Sequence, residues 1–382
     1  MASAPSVGQG APRLGRAAAG LVPVVAAALA AATAAHARAV LFAMGRRPAP
    51  GQAFQNLPEP PLAPVPDAPA RASGARSPAQ TARLLARQLL SGRPGLAVPA
   101  IRPVFPAEPG ELAVTWFGHA SVLVEIDGRR VLTDPVWSKR CSPSQLVGPA
   151  RSHPPPLPVE QLPELDVVLL SHDHYDHLDV GTVRALAERT GALFVVPVGV
   201  GAHLRHWGVP AGRILERHWW QEAAVGGLAF TCAPARHFSG RGLRRNTSLW
   251  ASWSIAGPRH KVYFGGDSGF TRSFEEIGER LGRHDLTLLP IGAYSDLWRE
   301  IHMNPHEAVR AHFCLAKPTA PMLPIHWATF RLAPHPWAEP VEWLLRERER
   351  HTGLQVLHPA PGQRVDAQRP HPEMSRWWEP AP

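Results

Sequence analysis

The sequence predicts an α/β sandwich: β-sheets at the centre with helices packed outside them. Three observations carry that expectation. The body of the chain opens on strand-patterned stretches joined by a tight turn. Short continuous apolar runs then alternate with helix-patterned stretches. Polar residues able to do chemistry recur directly after apolar runs, where strands end. A chain of 382 residues with 45% hydrophobic content can bury a large core, which excludes global disorder.

In chain order, residues 17–35 (AAAGLVPVVAAALAAATAA) form an apolar run interrupted by Pro23 and followed by Ala35-His36-Ala37, an A-x-A pattern. Residues 1–47 therefore read as a signal-like or membrane-anchor leader; a disordered Ala-rich leader is the plainer alternative, since alanine anchors poorly. Eight prolines between Pro48 and Pro69 and another at Pro78 make 48–78 an extended linker. Over 79–91, Leu84, Leu85, Leu89 and Leu90 fall at helical spacing opposite Arg83 and Arg87. The segment 79–110 is thus expected to hold a short amphipathic helix, packed on the body or facing lipid, and a lead-in to the body. The folded body is expected over 111–366, with a C-terminal tail over 367–382.

Within the body, LAVTWFGHA and SVLVEI are strand-patterned, and Asp127-Gly128 turns the chain into RRVLTD. VVLLS at 167–171 has the unbroken apolar pattern of a strand buried on both faces. Helix patterning over 180–189 precedes a strand at 193–197. LAFTCAP (228–234), LWASWSI (249–255) and KVYFGG (261–266) are further strands; FEEIGERLG is a helix and LTLLP a strand. Pro305 opens a helix running to Ala316, PMLPIH (321–326) is a strand, and a last helix covers about 340–350.

The formal charge of +9 is concentrated at one end. Residues 1–110 hold 11 Arg, no Lys and 3 acidic residues; residues 111–382 hold 29 basic and 28 acidic residues. A nearly neutral body gives no support to nucleic-acid binding, whereas a basic leader beside an apolar run suits a membrane surface. Cys141, Cys232 and Cys314 lie too far apart in sequence for a CxxC zinc ribbon, and three cysteines make no disulfide scaffold. P-loop, GxSxG and Rossmann GxGxxG signatures are absent from the sequence.

The chemistry concentrates in Ser171-His172-Asp173-His174-Tyr175-Asp176-His177, directly after the apolar run VVLLS. Imidazoles and a carboxylate at H-x-H-x-D-H spacing can face one pocket, and His and Asp are donors for Zn²⁺ and similar metals. His237 (PARHF), Asp267 (GGDSG) and His326 (PIHWATF) each follow a predicted strand, as His172 does. Four strand ends emptying onto one edge of a sheet would assemble a two-metal site there. A lone His at a strand end is more often a structural residue; the combination with the histidine loop is what carries weight.

This order of motifs resembles the metallo-β-lactamase fold superfamily, and the resemblance implies an αββα sandwich of two mixed sheets. Carried over by position, it implies His172, His174 and His237 on one zinc, Asp176, His177 and His326 on the second, and Asp267 bridging them. It also implies that Asp134, in VLTDP, orients the histidine loop. More narrowly, TWFGHASVLVEIDG, LTDPVWSKRCSPSQLVGPARSHPPP, HDHYDHLD, LWASWSIAGP, GGDSGF, PIGAY and PIHWATF are similar to the N-acyl-phosphatidylethanolamine-hydrolysing phospholipase D family over most of 115–366. AFQN near residue 55 resembles that family more weakly. His302 matches a family histidine that lines the active site. Departures are Asp173, where animal members carry Asn, a shorter stretch after PIGAY, and an unrelated leader.

The resemblance implies two Zn²⁺, with Mn²⁺ or Fe²⁺ sharing such donors, and a phospholipid substrate. A cation pair about 3.5–4 Å apart makes a shared water nucleophilic at neutral pH without a serine or cysteine. His302, Asp267 and Asp134 are the candidate catalytic residues. Hydrolysis of the distal P–O bond of an N-acyl phosphatidylethanolamine is the expected reaction, at a membrane reached through the N-terminal anchor or after export; a cytoplasmic enzyme is the alternative. Of the 13 tryptophans, Trp219, Trp220, Trp250, Trp253, Trp298 and Trp327 fall near predicted strand ends, where they either fill the core or line a lipid groove. Rival readings are a sugar-phosphate lactonase or nuclease on the same scaffold, and a non-catalytic metal- or membrane-binding scaffold. A homodimer is left open.

Overall fold

The computed structural model describes residues 15–48, 51, 53–59, 98–369 and 374–379, with backbone alone over 15–29. The amphipathic helix expected over 79–91 and most of the proline-rich tract lie outside the described residues. Helix α1 (Gly15–Met44) continues through the position of Pro23, because the surrounding alanines are the strongest helix formers. Its described side chains are largely exposed as far as Phe42, and Ala43 is buried against the body. Among the described residues no helix is long and apolar enough to cross a membrane.

The body then runs β1 (Leu112–Gly118), β2 (Ser121–Ile126), β3 (Arg129–Thr133), β4 (Val167–Leu169), α2 (Val180–Arg189), β5 (Leu193–Pro197), α3 (Gly201–His206) and β6 (Ile214–Arg217). It continues through β7 (Glu222–Val225), β8 (Leu228–Ala233), β9 (Ser252–Ala256), β10 (Lys261–Phe264), α4 (Ser273–Leu281), β11 (Leu286–Pro290) and α5 (Pro305–Leu315). It closes with β12 (Pro321–Ile325), α6 (Glu339–Arg350), β13 (Gln355–Val356) and β14 (Arg364–Asp366). Two seven-stranded sheets result, ordered β14-β1-β2-β3-β4-β5-β6 and β13-β12-β11-β10-β9-β8-β7. In both sheets the antiparallel pairings give way to parallel ones: at β3 in the first, at β10 in the second.

Strand alternation explains the apolar runs. In β2, Val122, Val124 and Ile126 enter the core between the sheets, while Leu123 enters the core under α2. In the run at β4, Val167 and Leu169 face the first core and Val168 and Leu170 the second, so every position is buried. Val183 and Leu186 of α2 cover one outer face; Phe274 of α4, Val309 of α5 and Leu344 of α6 belong to the core of the other sheet. Pro324 is tolerated in β12 because β13 pairs only with Pro321 and Met322, leaving Pro324 past the end of that neighbour.

Two features differ from expectation. The strand predicted over 249–255 begins at Ser252. Short β6, β7 and α3 carry too few apolar residues to be read from pattern, and they are held by their neighbours. Of the tail, the described residues 374–379 pack on the body: Trp378 is buried, and the rings of Trp377 and Trp378 lie 5.2 and 5.7 Å from that of Trp327.

Candidate metal centre

The predicted donors converge, but across two sheets rather than on the edge of one. His172 follows β4 of the first sheet, whereas His237, Asp267 and His326 follow β8, β10 and β12 of the second. β8 and β10 run the same way because β9 reverses between them, and β12 continues that direction through parallel β11. The ends of all three therefore meet the histidine loop where the two sheets open together. Gly266 permits the approach: its φ is +55°, and a Cβ there would stand 2.5 Å from Ser171 Cβ.

One pocket is purely imidazole. His174 Nδ1 lies 2.8 Å from His172 Nε2 and 3.2 Å from His237 Nε2, so three ring nitrogens share one small volume. The opposite nitrogens are anchored, His172 Nδ1 at 2.8 Å from Ser171 Oγ and His237 Nδ1 at 3.0 Å from the Ile301 carbonyl. The second pocket gathers Asp176, His177 and His326, with His119 as a fourth member. Asp176 Oδ2 lies 2.9 Å from His119 Nε2, 3.4 Å from His177 Nε2 and 3.3 Å from His326 Nε2.

Asp267 stands between the pockets. Its Oδ2 is 3.1 Å from His177 Nε2, 3.7 Å from His237 Nε2 and 3.9 Å from His172 Nε2, and its Oδ1 is 3.1 Å from His326 Nε2. His302 faces the same carboxylate, with Nδ1 at 3.9 Å from Oδ2. Asp134 lies behind the loop, accepting from Ser171 N at 2.7 Å and Ser171 Oγ at 2.5 Å, with His177 Nδ1 at 2.6 Å. This ties the start and end of the histidine loop to one buried carboxylate, a geometry that fixes ring orientation. Asn304 and Glu307 form a capping box on α5, fixing the helix start at Pro305, three residues after His302.

These donors fit a cation pair. His177 Nε2, His326 Nε2 and Asp267 Oδ1 are buried, crowd one another and make no hydrogen bond of good geometry, an arrangement that a cation among them would satisfy. Burial, followed by repulsion from neighbouring rings, holds His172 well below the usual imidazole range. Burial outweighs the attraction of Asp267 at His237 and lowers it likewise. At His177 burial opposes the charge, but Asp267, Asp176 and Asp134 together raise it well above the ordinary value. His326 is raised against burial chiefly by Asp267, with Asp176 contributing. Burial lowers His302 to about 4, so its ring is neutral near pH 7. Backbone strain gathers here too: His119, Asp134 and His326 adopt φ of 55°, 33° and 62°, a region side chains with a Cβ disfavour.

The sequence did not single out three residues that hold the site. His119, buried, positions Asp176, and its own N–H donates to Thr329 Oγ1 at 2.7 Å; the only signal was its place in a quoted motif. Asn56, in AFQN, clamps His237: it accepts from His237 N at 3.0 Å and donates to the His237 carbonyl at 2.9 Å. Arg241, buried between the rings of Tyr175 and Trp207, donates to the carbonyls of Asp173, within the donor loop, and Leu178, just after it. Of the tryptophans expected near strand ends, Trp250, Trp253 and Trp327 are core residues, while Trp219, Trp220 and Trp298 are only partly buried.

A profile of the family described as Beta-lactamase superfamily domain matches residues 129–327. An uncharacterized protein of Mycobacterium tuberculosis is 57% identical over 301 residues, covering 77% of this chain and 79% of that one. The N-acyl-phosphatidylethanolamine-hydrolyzing phospholipase D 1 of Caenorhabditis elegans is 40% identical over 238 residues, 59% of this chain and 66% of its own. A UPF0173 metal-dependent hydrolase of Anaeromyxobacter is 32% identical over 234 residues, 59% of this chain and 77% of its own. Among solved structures, isothiocyanate hydrolase from Delia radicum gut bacteria superposes with a TM-score of 0.53 at 21% identity, over 67% of this chain and 100% of that one, a likeness of fold.

Proposed function

The chain belongs to the β-lactamase superfamily and is a metal-dependent hydrolase of the metallo-β-lactamase fold; from that premise we propose that it is a dinuclear phosphodiesterase of the phospholipase D type, acting on N-acyl phosphatidylethanolamine. The observation that carries the dinuclear reading is the Asp267 carboxylate between two donor pockets, with one oxygen 3.1 Å from His177 Nε2 and the other 3.1 Å from His326 Nε2. His172, His174 and His237 would hold one divalent cation, and Asp176, His177 and His326 the other. Two such cations supply Lewis acidity toward a phosphoryl oxygen and make water nucleophilic at neutral pH. Zinc suits the donors best; manganese and iron share them.

The chain's own residues then have distinct tasks. Asp134 holds the His177 ring and Ser171 in register. His302, neutral near pH 7 and beside Asp267, is placed to hydrogen-bond the phosphate or to pass a proton to the departing oxygen. In the overall reaction the oxygen of water bonds to phosphorus, the bond from phosphorus to the ethanolamine oxygen breaks, and a proton ends on that oxygen. The products are phosphatidic acid and an N-acylethanolamine. The choice of lipid rests on the similarity to the nematode phospholipase D. A phospholipid substrate also implies work at a membrane surface, with α1 as the segment that reaches it.

The test is direct. Purified metal-loaded protein is given an N-acyl phosphatidylethanolamine labelled in the N-acyl group, and in parallel a structured RNA. Release of N-acylethanolamine without RNA cleavage is expected. Cleavage of RNA alone would overturn the reading.

A further inference from the structure

The turn that ends α1, the residues after it and α3 enclose a cavity of about 540 Å³ on whose wall stand Arg46, Arg47, Arg205, His206 and Glu216. Three arginines and one carboxylate thus line it. That carboxylate is already taken up by one of them: Glu216 accepts from Arg205 Nη1 at 3.1 Å, and from Gly199 N at 2.7 Å and Gly201 N at 3.2 Å. Arg46 and Arg47 are exposed, and among the described residues neither has a carboxylate partner. A concave wall with uncompensated arginines is chemistry for a phosphate.

The fringe of the cavity is apolar. Leu41 is 65% exposed and Phe42, whose ring lies 5.0 Å from that of His206, is 36% exposed. Two loops that touch α1 add more. One carries Ser144, 3.3 Å from His36, and then the exposed Leu146 and Val147; the other carries Gly242, where a Cβ would stand 3.2 Å from Met44 Cε, and then the fully exposed Leu243. Scattered exposed hydrophobics are ordinary, but five large ones on the last turn of α1 and on two loops that touch this helix mark a contact surface. Arg244 and Arg245, both exposed, follow directly. An anion cradle bordered by projecting leucines matches a lipid, phosphate in the cradle and chains over the apolar fringe, rather than a soluble phosphate.

We propose that this cavity is a second, non-catalytic site for the phosphate headgroup of an anionic phospholipid, docking the end of α1 onto a bilayer. The proposal rests on the phospholipid reading for its purpose, but its test reads binding alone. The dock is coupled mechanically to the metal centre. Trp207 Nε1 donates to the Phe42 carbonyl at 2.8 Å, and Arg241 Nη2 to the Ala43 carbonyl at 2.9 Å. Arg241 Nη1 meanwhile holds the carbonyls of Asp173 and Leu178 at 2.8 and 2.7 Å. A bilayer held at the α1 end therefore has a fixed orientation to the donor loop.

The experiment is co-sedimentation of the full-length metal-loaded protein with vesicles of phosphatidylcholine alone or with one-third phosphatidylglycerol. Binding is expected to favour the anionic vesicles and to weaken as salt rises. The double variant Arg46→Gln/Arg47→Gln should lose about thirty-fold in partitioning onto anionic vesicles, given ~1 kcal/mol for each arginine at such a surface. Leu243→Ser, at a fully exposed position, should weaken binding to both vesicle types. Wild-type partitioning by the double arginine variant would overturn the proposal. So would complete release from anionic vesicles by inorganic phosphate at constant ionic strength, which would mark a small-anion site instead. Intact docking by a protein that hydrolyses no phospholipid would strike the reaction proposed above and leave the headgroup site standing.

Discussion

The pocket of His172, His174 and His237 has no carboxylate of its own and shares only Asp267, whereas its neighbour sets Asp176 among His119, His177 and His326. In the first pocket burial leads the forces that lower all three rings, so they are neutral before any cation arrives. In the second, Asp267 and Asp176 outweigh burial and raise His177 and His326, so these rings hold a proton more readily in the metal-free protein. The same residue type is thus prepared in two ways. The first pocket accepts a cation without displacing protons; the second must release them. Asp267 belongs to both, and this sets the order of the effects expected from breaking each part.

The largest effect is expected from Asp267→Asn, which weakens the carboxylate contact of both pockets at once. Turnover should fall by more than the ~100-fold that loss of an outer partner of a ligand typically costs, with a lower metal-to-protein ratio. Circular dichroism should show the fold retained, since Asp267 lies past the end of β10. Next is Asn56→Ala, which removes both hydrogen bonds to the His237 backbone. Metal affinity of the imidazole pocket should drop about 10–100-fold, read by competition with a chromophoric chelator, while the carboxylate pocket keeps its affinity. Asn56→Asp, which preserves the acceptor for His237 N, should recover part of the loss.

Acidity sharpens the contrast. A histidine raised in the metal-free protein holds its proton below that raised value, so a cation competes with protons there and gains affinity as pH climbs through it. A histidine lowered by burial holds no proton across the same range. Calorimetric titration in buffers of different ionisation enthalpy should therefore find proton release with one metal equivalent and little with the other. Equal release from both would contradict the assignment. The smallest effect is expected at Asp173→Asn. Asp173 accepts from Gly240 N and Ser248 Oγ behind the loop, and an amide can keep the first and reverse the second. A stability loss of about 0.5–1.5 kcal/mol by denaturant unfolding, with turnover nearly unchanged, is expected.

Much of this was legible in the sequence, for physical reasons. Runs such as VVLL at β4 are unbroken because both faces are buried, and a strand so read has a definite end, which located His172. Helix α2 spans Val180–Arg189, its boundary set by the Asp179 cap on Thr182 N. What sequence could not supply was the pairing of the sheets. Strand ends on two sheets look the same as strand ends on one, so the donors were expected on a single edge. Asn56 escaped because it acts on a backbone 181 residues away, a partnership local patterning does not encode. Arg241 sits in a loop of no periodicity, and its role comes from being enclosed by Tyr175 and Trp207. The tryptophans near strand ends could not be divided by sequence, because a large ring serves a core and a groove equally well: three are core residues and three are partly buried.

The most direct measurement of the central claim is the metal content of purified protein, taken on the same sample as lipid release, before and after chelation and reloading. Two equivalents per chain, with release of N-acylethanolamine lost on chelation and regained on reloading, is the predicted result. A fully active sample holding one equivalent or none would contradict it.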